Sequence, residues 1–403
     1  MEHDEGDAQH PDDEGDDVNP FAGLPMFGDL ARALAGQGPL NWEAAKQFAA
    51  FATTGGAGTS TSNVDPAIRF ALADLASVAD MHVRDLTDID RATPEIAVSM
   101  PGAWAQQTLD DFRPLFTELA TSLNQRPPAD PAVGDDDDPM MAMMANLSQM
   151  MAPAMLGMAV GSMVGRLATR AFGQYDLPIP RMGSSLVLVP ATIDAFAGEW
   201  ALPVDEMRMW VLAHQLTQHA VFSVGHVRET VGALVRQHVG GFRPDPAAVA
   251  DKLMSVDDDE TDPMKAMQRA LGDPELLLGA VRSPAQIALQ PVLDATIAAV
   301  IGYVDYIVDA VAARLIGGDA LRLAEAVRRR RIEVAPEDVF VERLLGLQID
   351  ARQVQRGKDF VMGVVDRVGE RELSELFARP GSLPTPAEIE APGLWLARLD
   401  IDG

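Results

Sequence analysis

Cysteine is absent from this sequence of 403 residues. Its absence excludes thiol nucleophiles, thiolate zinc sites and disulfide bonds. Lysine and tyrosine are also scarce, with four and three residues respectively. A hydrophobic content of 47% nevertheless supplies enough apolar side chains for a large core, so we predict a folded chain.

Positive charge is in deficit as well. The 32 lysine and arginine residues stand against 60 aspartate and glutamate residues, which gives a formal net charge of -28 at pH 7. Such a protein repels a phosphate backbone, and no basic stripe is present, so we predict no nucleic-acid partner. Residues 1–18 contain nine of the acids and are predicted to form a disordered tail. They lack the basic and apolar parts of a signal peptide, which predicts a cytoplasmic location.

Helical patterns follow this tail and predict a mainly α fold of the α+β class with a small β element. Residues 19–126 form an N-terminal helical part. Residues 127–139 are predicted to be a linker or loop, because Asp135 to Asp138 are adjacent carboxylates that cannot be buried together. The run lacks the alternating ligand spacing of an EF-hand calcium loop. Residues 140–403 form a second helical domain.

The stretch from Met140 to Gly165 has no charged residue, and its Gly157, Gly161 and Gly165 follow at four-residue spacing. This pattern is typical of close-packed membrane helices. Because Pro153 and polar residues interrupt the run and no aromatic belt flanks it, we instead favour two buried helices joined near Pro153. Membrane contact is therefore the less favoured interpretation.

The best strand candidate is Leu186 to Val189, which is short, β-prone and followed by proline. One helix is predicted from about Pro203 to Phe222, since proline suits the first turn and acids follow it. A second long helix is predicted over about Val292 to Leu315, where apolar residues recur at three- and four-residue steps.

Charged and aromatic residues near these helices are interpreted as structural rather than functional. Asp305 and Asp309 share one helix face, which we interpret as solvated rather than catalytic. Arg328 to Arg331 form a basic patch beside acidic residues and are predicted to be a solvated, ion-paired surface. Trp200 and Trp210 are predicted to be core residues.

Four of the seven histidines lie between residues 214 and 238. A helical zinc peptidase site needs His at i and i+4, on one face of the helix, with Glu at i+1 as the base on the metal-bound water. His214 occupies the first ligand position, but Gln215 occupies the base position and Gln218 the second ligand position. His219 lies about 140° around an ideal helix from His214, so it cannot simply replace Gln218.

Longer motifs accompany this segment and extend over nearly the whole chain. They are Asn19-Pro20-Phe21, Gly38 to Trp42, Gly173 to Pro178, His226-Val227-Arg228, Gly241 to Pro246 and Val364 to Gly369. On these residues the chain resembles an actinobacterial family of zincin-like hydrolases, zinc-dependent metallopeptidases sometimes associated with deazaflavin-cofactor biosynthesis. The resemblance implies a zincin-like helical core within residues 140–403.

The resemblance also implies where a zinc site would lie. Family members usually carry His-Glu-x-x-His in the helix that here holds His214, and Glu-Gly-His or a similar motif in the later long helix. This sequence has Ile301-Gly302-Tyr303 there. Metal positions 214, 218 and 301 are thus His, Gln and Ile, and catalytic positions 215 and 303 are Gln and Tyr. An aliphatic Ile301 suits a metal-free interior, because a carboxylate there would be expensive to bury without a cation.

These replacements predict a catalytically degenerate protein with no intact catalytic residue, no bound metal, no cofactor and a protein- or peptide-binding role. An amide at Gln215 cannot accept a proton from zinc-bound water, and general-base catalysis is worth about a hundredfold to ten-thousandfold. We expect the amides of Gln215 and Gln218 to pair with His214 instead.

Two alternatives stay open. One is an active zinc-dependent hydrolase in which His214 combines with His219 or His226 as fallback ligands, together with an acidic residue. The other, weaker alternative is a membrane-peripheral scaffold that uses Met140 to Gly165.

Overall fold

The computed structural model describes residues 38–54, 63–124, 139–183, 185–244, 280–333 and 340–402. The predicted acidic tail, and the predicted linker except Pro139, lie outside the described residues. Within these ranges, long helices and two small sheets of two strands confirm the mainly α fold with a small β element.

The described residues form helices and short strands. The helices are α1 (Trp42–Thr54), α2 (Pro66–Thr87), α3 (Pro101–Asp111), α4 (Arg113–Leu123), α5 (Pro139–Arg170), α6 (Pro190–Glu199), α7 (Val204–Ser223), α8 (Gly225–Val239), α9 (Pro284–Leu315), α10 (Ala320–Ile332), α11 (Phe340–Leu344), α12 (Ala351–Val368), α13 (Pro386–Glu390) and α14 (Pro392–Asp402). The strands are β1 (Ile96–Val98), β2 (Leu186–Leu188), β3 (Arg243–Pro244) and β4 (Ala280–Val281), and 3-10 turns cover Gly317–Asp319 and Glu370–Phe377.

The predicted strand at Leu186 is confirmed as β2, which is fully buried. It pairs in parallel with β1, with Ile96 opposite Leu186, whereas β3 and β4 pair antiparallel. Backbone bonds also join the segment after α5 to β2, since the amide of Gln174 donates to the carbonyl of Val187 at 2.8 Å. This small sheet therefore holds residues 173–178 against the interior.

The apolar stretch after residue 139 forms one continuous helix, α5, so the prediction of two helices joined near Pro153 is wrong. The reason is packing against α1. A Cβ atom at Gly161 would lie only 2.2 Å from the carbonyl oxygen of Ala45, so the small residues let the two backbones touch. The tertiary contact thus outweighs the local tendency of proline to break a helix.

Two helical segments, Met150–Arg170 and Pro284–Leu315, are long and apolar enough to cross a membrane by length and composition alone. Core helices of other folds pass the same test. In the second segment 61% of the most apolar window is buried inside the protein, against 39% in the first. The second segment, α9, is accordingly the central helix of the core, packed against α7, α8 and α12.

The two predicted helices beyond the sheet are confirmed as α7 and α9. α7 begins within one residue of its predicted start. α9 begins eight residues earlier than predicted, because Ser283 and Gln286 form a capping box upstream of Pro291. Pro291 lies inside the helix, where it removes one i→i−4 backbone hydrogen bond.

α9 crosses α12 with the two backbones in contact. A Cβ atom at Gly302 would lie 2.2 Å from the carbonyl oxygen of Gly357, and one at Gly357 would lie 2.1 Å from that of Ala298. Next to this crossing Tyr303 is buried and its ring meets Phe377 edge to face, with centroids 4.8 Å apart. The crossing therefore fixes the orientation of α9 about its own axis, and with it the set of α9 residues that face α7.

Candidate functional site

A cavity of about 490 Å³ lies inside the helical core. Its walls come from α7, α9 and α10, from residues 170–178 and from residues 342–350, with His238 and Phe242 at the end of α8. The volume is typical of ligand-binding sites. Gln290 and Asp305 of α9 both line it, and 15 residues of helix span about 22 Å. The cavity is therefore elongated along α9.

Four of the residues singled out in the sequence line this cavity together: His214, Gln215 and Gln218 from α7, and Ile301 from α9. The helical spacing on α7 and the crossing of α9 bring them to one wall. The two fallback ligands lie elsewhere. The Nδ1 atom of His219 is 3.2 Å from the hydroxyl of Tyr175, and His226 lines a second cavity of about 210 Å³.

His214 lies one helical turn after Trp210, and the two rings stack with centroids 5.5 Å apart and an angle of 13°. Burial, and to a smaller extent the nearby Arg331 guanidinium, lowers the pKa of His214 to about 3. At neutral pH the imidazole is therefore uncharged.

Gln215 has a partner in the chain that follows α5. Its side-chain oxygen accepts a hydrogen bond from the backbone amide of Tyr175 at 2.7 Å, and the residue is buried. The expectation that Gln215 and Gln218 pair with His214 is wrong, since no hydrogen bond among the described residues joins His214 to either amide. Gln215 instead fixes the loop that carries Asp176.

The arginines of α10 are ion-paired as predicted. Arg328 pairs with Asp309 at 2.5 Å, and Arg331 contacts both carboxylate oxygens of Asp305, the nearer at 3.1 Å. The prediction of a solvated surface is wrong for Arg330 and Arg331, which line the cavity, and for Asp305, which is buried. One face of α10 points inward, which sequence spacing alone could not show.

Asp176 is a site residue that the sequence did not single out by its chemistry. Its carboxylate accepts hydrogen bonds from the backbone amides of Phe172 and Gly173 at 2.9 and 3.0 Å and lies 3.9 Å from Arg330. Burial raises the pKa of Asp176 and lowers that of Arg330 to about 10. The pair is a structural anchor of the cavity wall, and its members are too far apart in sequence for a motif to reveal them.

Several buried polar atoms of the cavity wall have no hydrogen-bond partner among the described residues. They include Nε1 of Trp210, Oε1 of Gln218, Oε1 of Gln290, Oε2 of Glu342 and both ring nitrogens of His238. Buried polar atoms in folded proteins are nearly always hydrogen-bonded. These atoms are therefore available to hydrogen-bond a ligand.

Acidification is expected to destabilise the protein through His238. Burial lowers the pKa of His238 to about 4, below the value near 6.5 of an unfolded histidine. The neutral ring therefore contributes stability above pH 6.5, which is lost as the pH falls toward 4. Between pH 7 and pH 5 this loss is about 2 kcal/mol. The free energy of unfolding, measured in urea at both pH values, should therefore fall by about 2 kcal/mol less in His238→Phe than in the unmodified chain.

Phe242→Leu is the matched control, because it perturbs the neighbouring ring without removing a titrating group. It should keep the pH dependence of the unmodified chain. An equal loss of stability in His238→Phe and the unmodified chain would contradict the assignment to His238.

Comparison with known proteins agrees with this helical architecture. Residues 40–396 match the sequence model of the zincin-like metallopeptidase family, and the chain belongs to this family. It is similar in fold to the crystal structure of a suggested hydrolase with a novel fold from Chloroflexus aurantiacus, with a TM-score of 0.62 and 23% identity over 90% of this chain and 100% of the other. No curated protein matches the sequence significantly.

Proposed function

We propose that this chain is a non-catalytic member of the zincin-like family, whose cavity binds a peptide or a segment of another protein without hydrolysing it. One observation carries the proposal. The positions at which the family resemblance implies a zinc site lie on one cavity wall, but hold His214, Gln218 and Ile301, with Gln215 beside them. Of these only His214 is a good zinc ligand.

The surroundings of His214 also fit zinc poorly. Ile301 offers an aliphatic side chain, and Arg331 lies close enough to lower the pKa of His214. Because Arg331 pairs with Asp305, a divalent cation at His214 would meet a carboxylate that is already neutralised and would gain few ligands. Among the described residues, no group of three or more His, Asp or Glu side chains is placed to hold a metal.

Position 215 supports the absence of a general base. Gln215 is held by the Tyr175 amide and remains neutral, so it can position a loop but cannot take a proton from water. Tyr303, the other catalytic position of the resemblance, packs on Phe377 and is not part of the cavity wall. Burial raises the pKa of Tyr303, which keeps its hydroxyl protonated.

The length of the cavity favours an extended ligand. A span of about 22 Å along α9 matches about seven residues of extended peptide at about 3.3 Å per residue. Neutral amide, indole and imidazole groups along the wall can hydrogen-bond a peptide backbone. Ligand binding in this proposal therefore uses the shape of the peptidase cleft without its chemistry.

The alternative, an active hydrolase with an atypical ligand set, needs His214 to share a zinc ion with His219 or His226. His226 lines the second cavity, and the ring of His219 contacts Tyr175. These placements favour the non-catalytic role.

Elemental analysis of the purified chain tests the proposal. We expect far less than one zinc per chain, no cleavage of a peptide library with any added divalent metal, and retention of a subset of the same peptides. Zinc near one per chain that His214→Ala removes, or cleavage abolished by a chelator, would instead establish the hydrolase.

A further inference from the structure

One end of the cavity is distant from the position of a family zinc site. This end is formed by His238 from α8, Gln290 from α9 and Gly346 in the turn after α11. Gln290 and Ile301 are 11 residues apart on α9, a distance of about 16 Å along a helix. The two ends therefore bind different parts of a ligand.

His238 is fixed in position but its ring nitrogens are unused. The residue is 1% exposed, and Phe242 meets its ring edge to face at 5.7 Å. A Cβ atom at Gly346, whose φ is +78°, would lie 2.7 Å from Cγ of His238, so the turn presses directly on the ring. Neither Nδ1 nor Nε2 has a hydrogen-bond partner among the described residues. A neutral imidazole offers one donor and one acceptor.

Gln290 presents an acceptor at the same end. Its side-chain nitrogen donates to the carbonyl oxygen of Gly346 at 2.9 Å and to Oδ1 of Asp294 at 2.8 Å. These two bonds fix the orientation of the amide and leave Oε1 buried without a partner in the described chain. Gln290 and His238 both contact Gly346, so the two side chains border the same turn and line the same end of the cavity.

We propose that this end of the cavity is a subsite for a neutral amide group, a proposal that rests on the binding role given above. An amide N–H can donate to Oε1 of Gln290, while its carbonyl accepts from the ring nitrogen of His238 that carries the hydrogen. A carboxylate has no donor for Gln290, and an amidinium has no acceptor for the imidazole N–H. A charged group would also lose its hydration on entering this buried end.

Three isosteric probes test the subsite: benzamide, benzoate and benzamidinium differ in charge and donor pattern but not in shape. Each is titrated into the full chain labelled with 15N in its histidines, and the imidazole signals are followed at pH 7. We expect benzamide to shift the His238 signals saturably, and benzoate and benzamidinium to bind at least about tenfold more weakly. Equal or tighter binding of a charged probe, or no saturable shift with benzamide, overturns the proposal.

Variants locate the binding. Gln290→Leu removes the acceptor and is expected to weaken the binding of benzamide at least about tenfold. His238→Phe, which lacks the observed imidazole, is expected to weaken this binding by the same factor in a competition assay. His226→Phe, in the second cavity, is the matched control and should leave the affinity unchanged. If Gln290→Leu, folded as judged by circular dichroism, binds benzamide normally, the subsite is wrong.

The zinc and cleavage measurements on the unmodified chain do not depend on this subsite. A chain that binds zinc but also selects benzamide refutes only the non-catalytic role. A zinc-free chain that does not select benzamide refutes only the subsite.

Discussion

The variant with Gln215→Glu, Gln218→His and Ile301→Glu is expected to bind one zinc ion per chain, whereas the unmodified chain binds none. The three changes rebuild the His-Glu-x-x-His pattern on α7 and add a carboxylate on α9, all on the cavity wall that holds His214. Two imidazoles, a carboxylate and a water molecule complete the tetrahedral set of catalytic zinc sites. We expect a Kd below about 1 µM, equivalent to about -8 kcal/mol.

Stability measurements give a second signal for the same variant. Ile301 is 4% exposed, so a glutamate in its place is a buried carboxylate without a cation and should destabilise the metal-free variant by several kcal/mol. Zinc should restore this loss, because a ligand that binds only the folded state stabilises it. Calorimetric titration with zinc and thermal unfolding with and without zinc measure both effects.

The matched control adds His214→Ala to the three changes and should lose the site. If the control or the unmodified chain takes up zinc as the triple variant does, the metal position has been assigned to the wrong residues. If the triple variant does not bind zinc, this cavity wall is not where the zinc site implied by the resemblance lies.

Gly302→Ala is expected to destabilise the fold by about 3 kcal/mol, a large effect for one methyl group. The added Cβ atom would lie 2.2 Å from the carbonyl oxygen of Gly357. Since this obstacle is backbone rather than the end of a flexible side chain, the helices α9 and α12 must separate. Urea unfolding followed by circular dichroism measures the change.

Gly232→Ala is the matched control for this helix substitution. Gly232 also lies inside a helix, α8, but its Cβ position has only ordinary contacts, the nearest at 3.6 Å. Because alanine is the better helix former, that variant should gain up to about 1 kcal/mol. Similar effects of the two substitutions would show that the crossing of α9 and α12 tolerates a side chain.

Local patterns were sufficient to predict much of the fold. The strand at Leu186 and the helix around His214 follow from β-propensity, from proline and acidic residues at a helix start, and from apolar periodicity. Pro153 misled the prediction for α5, since the effect of a proline depends on whether another helix packs beside it. The prediction for α9 began at about Val292, where the apolar repeat starts, whereas the capping box at Ser283 begins the helix at Pro284.

The candidate site was predictable only in part, for a similar reason. His214, Gln215 and Gln218 share a helix, so their spacing identified one wall, and the family resemblance added Ile301. His238 and Gln290 meet through the turn at Gly346, and no sequence pattern connects such distant segments. The inward face of α10 depends in the same way on tertiary packing, so Arg330 was assigned to the surface.

In the proposed non-catalytic role, the contact of Gly302 with Gly357 keeps the fold although the residues beside it do not match the reactive pattern. Of the three residues at 301–303, the glycine agrees with the pattern of the resemblance while both flanking residues depart from it. Any side chain at position 302 would meet the backbone of Gly357, whereas positions 301 and 303 hold large buried side chains. Under that proposal the reactive residues can differ while the backbone crossing, and with it the shape of the interior, stays the same.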